Sequence, residues 1–501
     1  MRRSLTILLL CSSLSSIALV PPRDPSKWTE WQAQLIQTEQ SSIHAKRLPA
    51  ATQAVGTRTI IPRILVIMAN FPDEHAQLIS SKADVDSMFN ARNWTKDGAT
   101  GSIRQYFYDQ SMGTYDPQFD VVGPVMLDSS YTFYGKGLNV SQNAGYMVTE
   151  ACKKVDDEVD FSLYDSDLDG DVDLVYIFYA GFGENDPPRL EPELVKNINN
   201  LIWPAYWNVS AAGCGNNQRV FDGKRIQPFE YSNELDGYYY TSQKPVIAGI
   251  GVACHEYSHA LGLPDLYYTG TAKLKHKLLG KWDVMCYGPY NNDMHSPPSY
   301  SAYERFFMGW LTPELITEAD DLTLEHIATS NQAYLIAEDD QHNMSSTNPN
   351  PTIFYLLENR QRKGWDIDVP GDGLMLTRIN YQRSLWTSNK VNNDPNKLGV
   401  DIIEADGLTP NTDTADGYLG KPGDLFPEGT TEYTGITDHA ITDITMTDGV
   451  ISFKYRGGKP TDPTSLEAPV ANKQSAYKTI ENGQLLIHSN GRTYNIYGIQ
   501  Q

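Results

Sequence analysis

The chain has 501 residues, 40% of them hydrophobic and 11% aromatic, and its 62 acidic and 40 basic residues leave a formal net charge of −22. That length exceeds one ordinary domain, and that apolar content excludes global disorder. The acidic balance excludes nucleic acid as the main partner, because phosphate binding needs a concentrated basic face.

Arg2 and Arg3 precede the short apolar run Leu5 to Leu10, and Ser16-Ile17-Ala18 come next as small residues, so residues 1–18 read as a signal peptide. The run is too short for a membrane span and nothing later approaches one, so no transmembrane segment is expected. Cys11 raises lipid attachment, but Leu10 is bulky where a lipoprotein signal wants a small residue. A secreted or cell-surface protein is the expectation, with plain secretion favoured over lipidation. Cys152, Cys214, Cys254 and Cys286 remain after the signal, and an oxidising compartment permits any of their three pairings.

Residues 19–58 are polar, with one helical stretch from Trp28 to Gln40, and read as a propeptide or as an N-terminal arm packed on the adjoining domain. That domain, at 59–318, opens on the buried-strand run Arg63 to Met68. Helical patterns cover Ser102 to Gln110 and Pro245 to Leu261, and Asp173 to Tyr179 reads as a second strand. Gly181-Phe182-Gly183 after that strand is either an edge for an extended substrate or a plain glycine loop; Trp203 and Trp207 are assigned to the core. Asp165, Asp167, Asp169, Asp171 and Asp173 alternate around Gly170 like the front half of a calcium loop. Tyr176 stands where the closing acidic residue belongs. The choice there lies between a Ca2+ site finished by other groups and a solvated acidic turn.

From 319 to 457, short strand-like pieces (Thr352 to Leu357, Gly373 to Ile379, Val400 to Glu404, Val450 to Tyr455) between turn residues predict a β-rich domain. Residues 458–475 read as a linker and 476–501 as a short cassette with one hairpin's worth of sequence.

The chemistry concentrates at 255–265. His255 and His259 are four apart, one helical turn along one face, so both imidazoles reach one ion. Glu256 stands beside them as the base for a zinc-bound water. Gly262 provides a left-handed stop, after which Asp265, six residues past His259, can return as third ligand. Metzincins place their third ligand at this spacing and add a later methionine turn, for which Met285 in Trp282 to Gly288 is the candidate. The rival third ligand is Glu304, on the helical run Ser301 to Phe307. Tyr287 is either an oxyanion stabiliser or a buried tyrosine bonded to backbone.

These segments resemble the immune inhibitor A-like secreted bacterial metallopeptidases. The likeness rests on HEYSHALGLPDLY (255–267), GKWDVMCYGPYNN (280–292) and SAYERFFMGWL (301–311), and it extends over about residues 60–455. It implies an α+β architecture: a metzincin-like zincin catalytic domain, with a twisted sheet and an active-site helix, and then the β-rich domain. It also implies zinc on His255, His259 and Asp265, with Glu256 as general base and a protein or peptide as substrate. Cys254 and Cys286 abut the two landmarks of the site and are either a disulfide or two buried thiols. The cassette resembles a short type IX secretion sorting signal, which would make secretion machinery a partner; an ordinary terminal hairpin is the competing reading. The function expected is a secreted zinc endopeptidase. The alternative is a catalytically inactive surface-binding protein on a peptidase scaffold, which would ordinarily have lost a ligand or the base.

Overall fold

The computed structural model describes residues 18–24, 27, 53–55, 58–60, 62–73, 76–135, 141–195, 200–212, 214, 219–270, 279–408, 419–459, 477–481, 484–489 and 492–495. Most of the expected signal and linker, and the stretch Trp28 to Gln40, lie outside them. Residues up to Gly458 form one compact unit, and Lys459 onward a second.

The larger unit is built on a six-stranded sheet. Its strands in chain order are β1 (Ala18–Leu19), β2 (Arg63–Asn70), β3 (Gln118–Met126), β4 (Val175–Phe182), β5 (Ala205–Asn208) and β6 (Pro228–Leu235), and their order across the sheet is β1-β5-β6-β4-β2-β3. β6, β4, β2 and β3 run parallel, whereas β5 is antiparallel to β6. β4 is buried at every position, as its unbroken apolar run requires of an inner parallel strand. β4 is flanked on both sides from Val175 to Tyr179, and at its end Phe182 pairs with Leu235 and Gly183 bridges to Ile202, so the Gly181-Phe182-Gly183 segment is already paired within the chain. The edge belongs to β5, and β1 already pairs with it antiparallel, Ala18 opposite Tyr206 and Leu19 opposite Ala205.

Helix α1 (Gly251–Ala260) is buried throughout. It starts six residues later than the periodicity predicts. Val246 and Ala248 instead bond the end of β6, through Asp236 N–H to Val246 O and Ala248 N–H to Glu234 O. The extended pairing of Val246 to Ala248 overrides helical spacing there. A Cβ on Gly251 would stand 1.8 Å from the carbonyl oxygen of Pro289, so glycine allows the helix to touch the 288–290 turn directly.

A five-stranded sheet, centred on Ile353–Arg360 and Gly373–Asn380, takes its first strand, Glu314–Leu315, from before the expected boundary at 318, and a three-stranded one includes Ile441–Thr447 and Val450–Tyr455. The region after 318 has a separate apolar cluster around Leu324, Leu357, Leu374, Phe426 and Ile451. It does not separate from the preceding residues, because buried polar groups stitch the two together. Arg360 pairs with Glu358 at 3.1 Å and Asp366 at 2.7 Å and donates to Trp282 O at 3.2 Å, while Trp282 Nε1 donates to Asp424 Oδ2 at 3.0 Å. In the smaller unit, Tyr477–Glu481, Gln484–Ser489 and Arg492–Asn495 form a three-stranded antiparallel meander, one strand more than a hairpin.

Gly251→Ala is expected to destabilise the chain by about 1–3 kcal/mol, since backbone rather than a side chain must yield to the new methyl. Urea unfolding tracked by tryptophan fluorescence checks this, and an unchanged midpoint would contradict the close packing of α1.

Candidate metal centre

Helix geometry puts His255 and His259 on one face, and their Nε2 atoms are 3.2 Å apart. Gly262 sits at φ 99° and turns the chain, its N–H donating to His259 O. The turn returns Asp265 Oδ1 to 3.2 Å from each Nε2. Tetrahedral bonds of about 2.0–2.1 Å put ligand atoms about 3.3 Å apart, so this equilateral triangle has the dimensions of a zinc site. Asp265 Oδ1 is buried and receives no well-directed hydrogen bond, which is the condition of an atom awaiting a cation. The residues present therefore fit a metal ion.

The outer ring nitrogens are committed elsewhere. His255 Nδ1 lies 2.8 Å from Val284 O and His259 Nδ1 2.8 Å from Leu263 O; both are carbonyl acceptors, so the proton sits on Nδ1 and Nε2 stays open. Burial lowers the His255 pKa, which favours the neutral ligand form. Burial opposes ionisation of Asp265, and positive charge at the Nε2 corners of the triangle is what would offset that cost. Asn389 grips Asp265 from both sides: its Nδ2 donates to Oδ2 at 2.5 Å, and its Oδ1 accepts from the Asp265 N–H at 2.7 Å. Asn392 Nδ2 donates to Leu266 O at 2.7 Å and so anchors the same loop. No local signal could have found Asn389, which lies 124 residues away in the chain.

Met285 is fully buried and its carbonyl accepts from Leu266 N–H at 2.9 Å, while its neighbour Val284 orients His255. This segment thus ties the third-ligand loop to the helix. Glu304 is turned away from the histidines. It closes a capping box on its own helix, its Oε2 accepting from Ser301 N–H at 2.7 Å, so the rival ligand is not at this centre. Cys152, Cys214, Cys254 and Cys286 are four buried free thiols, which settles the Cys254–Cys286 alternative.

The carboxylates of Asp165, Asp167 and Asp169 converge, but Asp171 and Asp173 do not join them. Asp171 pairs with Arg225 at 2.6 Å, and Asp173 accepts from Ser166 N–H at 3.0 Å. Lys224 Nζ stands 2.7 Å from Asp165 Oδ2 and supplies positive charge that a calcium ion would otherwise bring. The loop therefore falls short of the five-carboxylate arrangement.

Residues 18–24 run through the cleft above this centre. Val20 N–H donates to Glu256 Oε1 at 2.9 Å, and the Tyr267 hydroxyl donates to Leu19 O. The Leu19–Val20 peptide bond is thus bracketed by the predicted base on its nitrogen side and a phenol on its oxygen side. Tyr287 reaches the Arg23 carbonyl instead, four residues along, so Tyr267 holds the place that sequence position suggests for Tyr287. Trp203 Nε1 donates to Val20 O at 2.9 Å and Tyr290 OH to Pro21 O, which places Trp203 at the cleft wall as well as in the core.

The site thus brings a helix-borne histidine pair, a returning carboxylate and Glu256 beneath a cleft that already pairs one extended segment. Residues 62–310 match the catalytic domain of the immune inhibitor A peptidase M6 family. It is 25% identical over 288 residues to the pre-pro-metalloprotease PrtV of Vibrio cholerae serotype O1, an alignment covering 49% of this chain and 29% of that protein. It is 26% identical over 231 residues to immune inhibitor A of Bacillus thuringiensis subsp. alesti, covering 41% and 31% respectively. The chain spans under a third of the length of these relatives.

Asn389→Ala is expected to lower zinc affinity by about 10–100-fold, because Asp265 loses both of its clamps. Competition against a chromophoric chelator measures it; unaltered affinity would remove Asn389 from the support of the site.

Proposed function

We propose that the chain is a secreted, zinc-dependent endopeptidase with a metzincin-like centre, hydrolysing extended segments of extracellular proteins. The observation that carries this reading is the Leu19–Val20 bond lying between Glu256 and Tyr267 beside the triangle of His255, His259 and Asp265. His255, His259 and Asp265 would hold the ion, which when bound supplies Lewis acidity toward water and the scissile carbonyl.

The protein's own groups do the rest. β5 captures the substrate backbone by strand addition, as it captures Ala18 and Leu19, and so aligns one peptide bond with Glu256. Burial, reinforced by the charge of Asp265, raises the Glu256 carboxyl well above the ordinary carboxylate range and makes it a stronger proton acceptor. Glu256 takes a proton from the attacking water as its oxygen bonds to the carbonyl carbon. The same carboxyl then delivers the proton to the departing nitrogen, for which a peptide nitrogen 2.9 Å from Oε1 is in range. The Tyr267 hydroxyl donates toward the carbonyl oxygen as negative charge gathers there. In the unprocessed chain Ala18 precedes the bracketed bond and Val20 to Asp24 follow it, so the cleft admits chain on both sides, as an endopeptidase requires. The basic and apolar start of the sequence supports export, and no helix among the described residues is long and apolar enough to cross a membrane.

Residues 18–24 must leave before another peptide enters, so the assay uses the full chain carrying Arg23→Ala, which weakens their hold. Zinc-loaded protein is expected to hydrolyse casein, and adding Glu256→Ala should reduce the rate by about 10²–10⁴-fold. A chelator should abolish activity and zinc restore it. A protein that binds one zinc per chain yet cleaves neither casein nor peptides would sink the endopeptidase reading.

A further inference from the structure

Arg23 is the most heavily bound side chain of the cleft segment. Its guanidinium is 7% exposed and meets three carboxylates: Nη1 lies 3.0 Å from Asp186 Oδ2 and 2.8 Å from Asp236 Oδ2, and Nη2 lies 3.0 Å from Asp293 Oδ1. Tyr238 offers its ring face at 4.7 Å. The two inner carboxylates are built in by the domain itself. Gly237 N–H donates to Asp186 Oδ2 at 3.0 Å, and the N–H groups of Tyr238 and Tyr239 donate to Asp236 Oδ1 at 2.8 and 3.0 Å. A Cβ on Gly237 would stand 2.0 Å from Asp186 O, so glycine is what lets the two loops approach this closely. Burial pushes the Asp186 carboxyl up and Arg23 draws it down, so the cation is what makes the paired negative charges tolerable.

The main chain at this position is held separately from the side chain. Arg23 N–H donates to Asn185 O at 2.9 Å, and Tyr287 OH donates to Arg23 O. Together with the bonds to Leu19, Val20 and Pro21, these contacts read backbone alone and would fix any extended peptide in the same register. The carboxylate pocket instead reads a buried side chain by charge, whereas the neighbouring contact of Arg189 with Asp24, at 3.4 Å, lies at the exposed end of the segment.

We propose that Asp186, Asp236 and Asp293 form an arginine-selecting substrate subsite, four residues to the C-terminal side of the cleaved bond, which Arg23 fills while residues 18–24 occupy the cleft. This rests on the peptidase reading and names its substrate class: extended segments carrying arginine at that position. Arginine is favoured over lysine because its two terminal nitrogens reach three carboxylates from one plane, whereas a single ammonium cannot span them.

The test uses the full chain with Arg23→Ala and Glu256→Gln, which empties the pocket and blocks turnover. Fluorescently labelled acetyl-Ala-Leu-Val-Pro-Pro-Arg-Asp-amide is titrated by anisotropy beside counterparts with lysine or alanine in place of arginine. The arginine peptide is expected to bind at least about 30-fold more tightly than the alanine peptide, with lysine between them. Adding Asp293→Asn should narrow that gap; its side chain is 53% exposed, so the fold does not depend on it. Arginine and alanine peptides binding within twofold of each other would overturn the subsite, whatever the protein cleaves. Selective binding with no cleavage by the zinc-loaded Arg23→Ala chain would instead uphold the subsite and reject the peptidase reading.

Discussion

Everything at the centre depends on keeping one ionised carboxylate in a dry place beside two neutral imidazoles. Asp265 is buried, and burial alone would protonate it. Asn389 donates to one of its oxygens, and the other faces His255 Nε2 and His259 Nε2, where a divalent cation would offset that cost. The loop that carries it cannot drift, since Gly262 sets its turn and the segment around Met285 bonds its backbone. A triangle with 3.2 Å sides results, and a divalent cation would satisfy all three corners at once.

The need for that rigidity explains why the β-rich region is no appendage. Asn389 and Asn392 reach the third-ligand loop from it, and Arg360 reaches the neighbouring turn at Trp282. Breaking a buried, paired charge such as Arg360 leaves its partners unsatisfied, so the two sheets hold together as one unit up to Gly458. The cleft uses a different principle. Tyr267, Tyr290, Tyr287 and Trp203 each present one donor to a backbone carbonyl, which accepts any sequence and leaves selection to side-chain pockets.

Much of the metal centre is legible in the chain. The four-residue spacing of His255 and His259 guarantees a shared helical face, and glycine at 262 allows the positive φ that a return to the metal requires. Other readings fail where local pattern meets long-range pairing. The helix begins at Gly251 because Val246 to Ala248 pair with β6; of the glycine segment, Phe182 pairs with Leu235 of β6 and Gly183 bridges to Ile202. Of the alternating aspartates, Asp165, Asp167 and Asp169 do converge, while Asp171 turns to Arg225 and Asp173 to Ser166. Sequence position singles out Tyr287, and only the path of residues 18–24 brings Tyr267 to the Leu19 carbonyl and Tyr287 to that of Arg23.

The sequence by itself determined the spacing of His255, Glu256, His259 and Asp265 and the turn between them, since each arises from helix pitch and backbone freedom within eleven residues, 255–265. Tertiary structure alone decided which distant groups complete them. Asn389, Asp186 and Asp236 come from separate loops, and the polar partners of a buried charge are chosen by which segments the sheet brings together. Periodicity encodes a residue's neighbours along one element. Burial, by stripping away water, obliges every charged group to find partners across elements, and those exist only once the chain has folded.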